Sequence, residues 1–357
     1  MIRVGIDARP IAHPSTGIGQ YTKHLVDQLQ RSGEVSLYLY SRDLLPSTAP
    51  NTRVRHGPNG MIPNALHAQL YFSRWAKKDR LDVFWSPRHH LPLTLHCPSV
   101  VTIHDMVWLK QPHTMTRGGA TLERHLMPRA IIKAQHIICV SNATRRDLID
   151  FAPQAAKKSS VIYAAACQHP QNKLSHRSST PFFLFVGTKE PRKNLDRCLQ
   201  AWRDSNLARE GFNFVLAGNT GWKYPLHERI IQLGLESSVI DLQPTNEELN
   251  TLYATCHAVV LPSLYEGFGL PLAEGMAFGK PLITSNVSSM PEIAGDAAIL
   301  VDPKNVQEIS AALRSLATDQ GLHAALSEKS TARGQRFSWA TAGAQTMKVL
   351  LQVASTG

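Results

Sequence analysis

Two glutamates, Glu266 and Glu274, stand eight residues apart in the segment 261–279, which reads LPSLYEGFGLPLAEGMAFG. The run 258–261 is apolar throughout and predicts a buried strand. A carboxylate can accept hydrogen bonds from two vicinal hydroxyls, so a pair at this spacing suits the two sugars of one ligand. Taken singly, Glu274 could instead be a first-turn helix residue favoured by the dipole, and Glu266 a loop charge.

The turn between the two glutamates has the residues of a phosphate site. Gly267 and Gly269 allow backbone N–H groups to approach a ligand closely. Pro271 fits the first turn of a helix that Gly279 would end. The positive end of that helix dipole would point at the same place as the amides, so the segment predicts a diphosphate site.

A basic cluster follows another predicted strand. The segment 185–195 reads FVGTKEPRKNL, in which Gly187 ends the strand and Arg192 and Lys193 precede a helix that Asn194 is placed to cap. Cations at a helix start are unfavourable unless an anion neutralises them. We therefore favour diphosphate binding over solvated surface charge for this cluster.

The first strand, 3–7, runs into a loop that ends in TGIG at the start of a helix. Gly17 and Gly19 could let a phosphate or sugar oxygen approach backbone amides, with Ser15 or Thr16 as the cap. A plain glycine turn is the alternative. The segment is not a dinucleotide-binding fingerprint, because the third glycine is missing and the loop is too long.

His104 and Asp105 stand at the end of a strand predicted at 100–104. A lone histidine there is more often a hydrogen-bonded structural residue. At the rim of a cleft, His104 could instead contact a sugar hydroxyl or stabilise developing charge.

The chain has 357 residues, 43% of them hydrophobic, and a formal charge of +11. This length favours two domains, and the charge implies a negatively charged partner, whether nucleic acid, anionic lipid or a phosphorylated substrate. The odd, scattered cysteines favour a reducing compartment and argue against a zinc site or disulfide frame. No segment has the pattern of a signal peptide or a membrane span. The five cysteines are Cys97, Cys139, Cys167, Cys198 and Cys256.

Strand and helix patterns alternate along the chain, which predicts an α/β protein with parallel sheets. The segment 167–181 is polar, carries two prolines and lacks periodicity, so it reads as a linker. We predict two doubly wound, Rossmann-like domains that face each other across a ligand-binding cleft. The predicted boundaries are 1–170 for the first domain, 171–181 for the linker, 182–338 for the second domain and 339–357 for a final helix that could pack back on the first. The predicted strands are 3–7, 35–40, 83–86, 100–104, 137–141, 160–163, 182–186, 213–217, 239–242, 258–261, 282–284 and 299–301.

Four segments together resemble the retaining glycosyltransferases of family four, which have the two-domain GT-B fold. They are EGFGLPLAE with its E-x7-E spacing, FVGTKEPRKN, VSNATRRDL at 140–148, and the TGIG loop. The resemblance covers nearly the whole chain and is strongest over residues 182–303.

The resemblance implies a role for each candidate residue. The position of Glu274 holds the nucleotide ribose, that of Glu266 contacts the donor sugar, and that of Lys193 neutralises the leaving diphosphate. His104 matches a residue near the reacting sugar carbon. Many members carry an arginine where this chain has Thr188, and Arg192 is the candidate for that charge. The implied catalytic residues are His104, Glu266 and Lys193, and the implied donor-binding residues are Gly17, Gly19, Gly187, Thr188, Arg192, Lys193, Gly267, Phe268, Gly269, Leu270 and Glu274.

The family chemistry implies an oxocarbenium-like transition state with negative charge building on the leaving diphosphate. Fixed amides, a helix dipole and a cation would stabilise that charge without a metal or other cofactor. We expect front-face attack by an acceptor hydroxyl with retention, the leaving phosphate taking the proton, since no carboxylate is an obvious covalent nucleophile.

The general look of the chain suggests the bacterial polysaccharide or O-antigen branch, with mannose from GDP-mannose as the expected donor. The acceptor would be a glycan or a lipid-diphosphate-linked saccharide. A nucleotide-sugar epimerase or hydrolase is the alternative within the fold. A nucleic-acid binding protein is the alternative outside it, but the chain lacks a helix-turn-helix or base-stacking signature, so no nucleic-acid partner is expected.

Two helical stretches, 66–78 and 122–133, mix apolar residues with cations. They could be half-buried helices with solvated outer faces, or they could contact an anionic membrane. We expect a cytoplasmic protein, with the second alternative placing it peripherally on the inner face of the cell membrane.

Overall fold

The computed structural model describes residues 1–12, 16–45, 52–57, 64–166, 180–222 and 224–356, with only the backbone described at 64 and 65. These residues form two compact units. The first comprises Met1–Lys110, Arg117–Ala164 and Ser338–Gly357, and the second comprises Gln111–Thr116 and Ala165–Phe337. Most of the linker predicted at 171–181 lies outside the described residues.

The first unit is built on a parallel sheet whose described strands run in the order β3-β2-β1-β4-β5-β6-β7. The central strand β1 pairs with β2 on one side and β4 on the other, so that Ile6 aligns with both Leu39 and Trp85. The strands are β1 (Ile2–Asp7), β2 (Val35–Ser41), β3 (Thr52–His56), β4 (Val83–Ser86), β5 (Ser99–Ile103), β6 (His136–Cys139) and β7 (Ser159–Val161).

The second unit repeats this plan, with described strands in the order β10-β9-β8-β11-β12-β13, all parallel. Strands β8 and β11 are buried along their whole length, as expected for inner strands covered on both faces. The strands are β8 (Phe182–Val186), β9 (Asn213–Ala217), β10 (Val239–Leu242), β11 (Ala258–Leu261), β12 (Leu282–Ser285) and β13 (Ala298–Val301).

Helices connect the strands of both sheets. Those before the second sheet are α1 (Gly17–Ser32), α2 (Asn64–Asp79), α3 (Val107–Lys110), α4 (Arg117–Lys133) and α5 (Asn142–Phe151). The helices after strand β8 are α6 (Leu195–Ser205), α7 (Leu226–Gln232), α8 (Asn246–Thr255), α9 (Leu270–Ala277), α10 (Met290–Ala294), α11 (Val306–Thr318), α12 (Gln320–Gly334) and α13 (Trp339–Ala354). Short 3-10 turns occur at Arg9–Ala12, Pro112–Thr114, Pro153–Lys158, Pro191–Lys193 and Leu207–Glu210.

The predicted strands are all present, with ends shifted by at most two residues, and the prediction of two doubly wound Rossmann-like units is confirmed. Strand β3 is an addition. Its sequence, TRVRH, carries two arginines, and its residues are only partly buried or exposed. It is an edge strand, where charged residues are common, so it has no apolar run of the kind that predicts a strand.

Helix α13 belongs to the first unit and packs on α1. The two helices approach closely at Gly343, where an added Cβ would lie 2.5 Å from Gln28 Cβ. The Trp339 ring stacks on the His24 ring, with centroids 4.9 Å apart. The first unit is therefore assembled from two distant parts of the sequence.

Within the described part of the chain, Cys97, Cys139, Cys198 and Cys256 are free thiols. Cys167 lies outside it. Among the helices described, none combines the length and the apolar character that crossing a bilayer requires.

Candidate functional site

The turn after β11 opens into α9 as its residues predict. Gly269 is the N-cap residue with φ 87°, a left-handed conformation that favours glycine, and Pro271 lies in the first turn. At the other end, Gly279 adopts φ 63° and its N–H donates to Met276 O, while Lys280 N–H donates to Gly275 O. This is a Schellman ending, so Gly279 terminates the helix as predicted.

Glu266 is a buried carboxylate that contacts two cations. Its Oε2 accepts a hydrogen bond from Arg192 at 2.6 Å, and its Oε1 accepts bonds from Lys193 at 2.6 Å and Ser263 at 2.7 Å. Burial alone would raise the pKa of Glu266, but the charges of Arg192 and Lys193 and the bonds from Lys193 and Ser263 lower it to about 2. Glu266 is therefore ionised at neutral pH, and it is not an isolated loop charge.

Arg192 and Lys193 are largely buried, with side chains 16% and 9% exposed. Arg192 also donates to Glu190 Oε1 at 2.7 Å and to Tyr265 O at 2.8 Å. The anions that neutralise the two cations in this structure are thus Glu266 and Glu190. Because both side chains are largely buried and ion-paired, they are not solvated surface charges. Lys193 retains N–H donors without an acceptor among the residues described here.

The prediction that Asn194 caps α6 with its side chain is wrong. Asn194 adopts φ 61° and makes no capping hydrogen bond, since a cap requires the extended backbone region. Its Nδ2 instead donates to Pro262 O at 2.9 Å and to Pro303 O at 2.6 Å. These buried bonds tie the basic segment to the loops that follow β11 and β13.

Glu274 lies in the second turn of α9, not in the first, and one of its carboxylate oxygens has no hydrogen-bond partner among the described residues. Its Oε2 accepts a hydrogen bond from the Tyr253 hydroxyl at 2.5 Å, whereas Oε1 has no bonded partner in the described parts of the chain. Burial raises the pKa of Glu274, and the Tyr253 bond and the charge of Lys193 offset part of that rise. The free oxygen could accept a bond from a ligand hydroxyl.

Several residues of this site were not predicted from the sequence. Ser288 and Ser289 both donate to Glu266 O and hold its backbone in place. Ser263 and Tyr253 bond the two glutamate side chains. Ser263 and the serine pair follow strands β11 and β12, and that position after a strand is the signal that could have identified them.

The glycine after β8 packs against Lys193. An added Cβ on Gly187 would lie 3.3 Å from Lys193 Cε, and one on Gly218 would lie 2.4 Å from Gly187 O. Both glycines have positive φ, 148° and 136°. Because the two glycines lack side chains, the Lys193 side chain has room beside the end of the sheet.

We expect Gly218→Ala to destabilise the second unit by about 2–3 kcal/mol, through backbone strain and displacement of the Gly187 carbonyl. Urea unfolding measures the loss. Gly211→Ala is the matched control, because Gly211 also has a positive φ of 85° but has no atom within 4 Å of the added Cβ. Equal losses in the two variants would mean that the contact with Gly187 is unimportant.

Thr188 is exposed, whereas the next residue, Lys189, is 2% exposed. Lys189 forms an ion pair with Asp241 at 2.5 Å and donates to Gly218 O. Lys189 was not singled out in the sequence. Its ion pair and hydrogen bond hold the loop that contains Thr188. The cations that contact the Glu266 carboxylate are instead Arg192 and Lys193.

The four residues after Glu266, Gly267 to Leu270, form a turn whose first three residues are buried. Phe268 packs edge-on against Phe337, with ring centroids 5.6 Å apart. In the first unit, Gly17 and Gly19 open helix α1, and Thr16 Oγ1 accepts the Gly19 N–H at 3.0 Å. Thr16 is thus the cap, and Ser15 lies outside the described residues.

His104 follows β5 in the first unit and is held as a neutral imidazole. Its Nε2 donates to Pro87 O at 2.8 Å, and its ring packs edge-on against Tyr21, with centroids 4.8 Å apart. Burial and the neighbouring His89 lower the pKa of His104 to about 4. With Nε2 committed as a donor, Nδ1 is the acceptor nitrogen of His104.

A second group of polar residues, which the sequence analysis missed, surrounds His104. His89 Nε2 accepts the His104 backbone N–H at 3.1 Å. Glu123 Oε2 lies 3.4 Å from His89 Nδ1 and 3.0 Å from His90 Nε2. These contacts fix the backbone of His104 at the end of its strand. No group of three or more His, Cys, Asp or Glu side chains in the described ranges is arranged to hold a metal ion.

Two family models match the chain. The model described as Glycosyltransferase Family 4 matches residues 15–165, and the model described as Glycosyl transferases group 1 matches residues 169–333. The two matches therefore cover the second sheet and all of the first sheet except strand β1.

Proteins similar to this chain include enzymes named as mannosyltransferases. The Escherichia coli O-antigen chain mannosyltransferase B is 28% identical over 95% of this chain and 96% of its own length. The O-antigen chain mannosyltransferase RfbU of Salmonella typhimurium is 26% identical over 64% of this chain and 63% of its own length.

Solved structures share the whole fold. Sucrose-phosphate synthase from Thermosynechococcus elongatus superposes with a TM-score of 0.80 at 17% identity, covering 100% of both chains. The Anabaena protein HepE, solved with UDP and glucose, superposes with a TM-score of 0.77 at 18% identity, covering 98% of this chain and 99% of its own. At these identities the likeness establishes the fold alone, which is GT-B.

Proposed function

Because this chain is a glycosyltransferase of family four, we propose that it transfers mannose from GDP-mannose to a hydroxyl of a glycan or lipid-diphosphate-linked saccharide, in the assembly of a bacterial O-antigen. The choice of mannose is supported by the relatives named as O-antigen mannosyltransferases, one of which aligns over nearly the full length of both chains.

The arrangement of side chains around Glu266 and Glu274 is the observation that supports the proposed donor site. Among the residues described in this unit, Glu274 has a carboxylate oxygen without a partner and Lys193 has N–H donors without an acceptor. The turn from Gly267 to Leu270 opens a helix beside them. These groups match the chemistry of a nucleoside diphosphate, with hydroxyls for the carboxylate and phosphate oxygens for the cation and amides.

In the proposed reaction, Glu274 binds the ribose and Glu266 orients the donor sugar while remaining ionised. Lys193 and the turn amides take up the negative charge that develops on the departing diphosphate. No metal is required for this step. The acceptor hydroxyl attacks from the face that the diphosphate leaves, its proton passes to the leaving phosphate, and the anomeric configuration is retained. His104, as a neutral imidazole whose Nε2 donates to Pro87 O, accepts a hydrogen bond at Nδ1 from a hydroxyl of the transferred sugar.

A thermal-shift panel of nucleoside diphosphates and their sugars tests the donor site. We expect GDP and GDP-mannose to raise the melting temperature, because a ligand that binds only the folded state stabilises it. Glu274→Ala removes the proposed ribose contact and should weaken GDP binding by about 10- to 100-fold. Glu328→Ala, at an exposed position on α12, is the control. If no nucleotide stabilises the wild type, the proposed function is wrong.

Turnover assays separate the proposed transfer from its rivals. Release of GDP that depends on the acceptor indicates transfer, whereas equal turnover of GDP-mannose alone would indicate a hydrolase or epimerase. The anomeric configuration of the product, read by NMR coupling constants, tests retention. Activity that persists in excess EDTA is the expected result for a metal-independent reaction.

We also propose that the outer face of α2 contacts an anionic membrane. Leu66 and Leu70 are 49% and 42% exposed, and Arg74, Lys77 and Lys78 are exposed on the same helix. We expect sedimentation with anionic vesicles and less with neutral ones, because cations and apolar residues act together at a charged surface. The double variant Leu66→Ser, Leu70→Ser should sediment less. Equal binding to both kinds of vesicle would remove this proposal.

A further inference from the structure

Arg88 lies in the loop that follows β4 in the first unit. Ser86 Oγ donates to Arg88 O at 3.1 Å, and Pro87 restricts the backbone between them. The loops at the carboxyl ends of parallel strands are where ligands bind in sheets of this kind. Arg88 therefore occupies a position suited to ligand contact.

The Arg88 guanidinium has no hydrogen-bonded or ion-paired partner among the residues described, although its side chain is only partly exposed. Burial and the neighbouring Arg9 cation lower the pKa of Arg88, and the charges of Asp7 and Glu123 offset only part of that fall. Arginines in such settings are ordinarily paired. Within the described ranges, the five N–H donors of its guanidinium thus have no protein acceptor.

The two acids close enough to influence Arg88 electrostatically are Asp7 and Glu123, and other groups already bind both. Asp7 accepts two hydrogen bonds from the Arg9 side chain, Nε to Oδ1 at 2.8 Å and Nη2 to Oδ2 at 2.5 Å. The Oε2 atom of Glu123 contacts His89 and His90. Because Asp7 pairs with Arg9 and Glu123 with the two histidines, neither acid pairs with the Arg88 guanidinium.

Arg88 is also adjacent to the reaction site proposed above. The residue before it, Pro87, accepts the hydrogen bond from His104 Nε2 at 2.8 Å. A group bound by Arg88 would thus lie near the sugar contacts of His104, and it would belong to a ligand of the first unit.

We propose that Arg88 binds a phosphate group of the acceptor, so that the enzyme selects a saccharide whose diphosphate lies close to the hydroxyl that is glycosylated. The planar guanidinium can hold two phosphate oxygens at once. The diphosphate of the donor already has binding groups in the second unit, which favours the acceptor as the source. This inference rests on the proposed function.

Kinetics with two synthetic acceptors tests the inference: a saccharide linked to an alkyl diphosphate, and the same saccharide as a plain alkyl glycoside. We expect Arg88→Ala to raise KM for the first by about 10- to 100-fold and to leave KM for the second unchanged. Arg88→Lys should fall between, because it keeps the charge but loses the two-point contact. Arg31→Ala, an exposed arginine at the end of α1, is the control.

A binding experiment keeps the inference testable without turnover. In saturating GDP, which occupies the donor site, wild type should bind an alkyl diphosphate in calorimetry and Arg88→Ala should not. Equal binding by both proteins would overturn the inference. Weaker GDP binding by Arg88→Ala would assign the phosphate to the donor and also overturn it. Failure of wild type to transfer to either acceptor, with alkyl diphosphate binding intact, would count against the proposed function alone.

Discussion

Lys193→Met is expected to lower kcat by about 10²- to 10³-fold, the usual loss when one preorganised group that stabilises developing negative charge is removed. Methionine retains an unbranched apolar side chain beside Gly187 but carries no charge. Glu266 keeps Arg192 and Ser263 as partners, so the carboxylate is not left unpaired. Steady-state transfer from GDP-mannose measures the effect.

The distribution of the loss between kcat and KM distinguishes the proposed role from a structural one. A group that acts mainly in the transition state lowers kcat and kcat/KM together. Lys304→Ala is the control, since this lysine is exposed and belongs to the same unit. A loss of less than about fivefold, with the melting temperature unchanged, would show that Lys193 does not stabilise the leaving group.

Glu266→Gln is expected to destabilise the second unit by about 3–5 kcal/mol, because it leaves two largely buried cations facing a neutral amide. For a unit of this size the melting temperature should fall by roughly 10 °C. Glu190→Gln is the matched control. The Glu190 side chain is 21% exposed and its ion pair in the described part of the chain is with Arg192, so the loss of its charge should cost at most about 1 kcal/mol.

The stabilisation by the Glu266 ion pairs should depend on pH. The pKa of Glu266 is lowered from 4.5 to about 2, so its contribution to stability, about 3 kcal/mol, is fully present above pH 4.5. The contribution is lost as the pH falls through about 2. We therefore expect the stability difference between wild type and Glu266→Gln to shrink over that interval. A difference that stays constant down to pH 2 would contradict the ion-pair account.

The strands and the turn at Gly269 were predictable because their signals are local: apolar runs, a proline in a first helical turn and glycines at positive φ. The partners of the site were not. Ser288 and Ser289 contact Glu266 from the loop after β12, and the Asn194 side chain points away from α6 towards Pro262 and Pro303. Such pairings depend on the order of the strands in the sheet, which the residues around each motif do not encode.

The pairing of Glu266 with Lys193 illustrates the same point. Charge complementarity at the helix start predicted an anion, and the sequence favoured a phosphate. The structure supplies a carboxylate from the same unit, 73 positions further along the chain. A ligand phosphate would therefore bind beside an existing ion pair, and the spare N–H donors of Lys193 are what would hold it.

The packing of α13 on α1 bears on how the protein is made. The first unit needs residues from both sides of the 173-residue segment Ala165–Phe337. During synthesis, that second segment emerges whole and can fold while the sheet of β1 to β7 still lacks its last helix. Closing the first unit must wait until Trp339 and Gly343 have left the ribosome. A fragment that ends before them would expose the apolar side of α1, so we expect it to express poorly by itself and to bind chaperones.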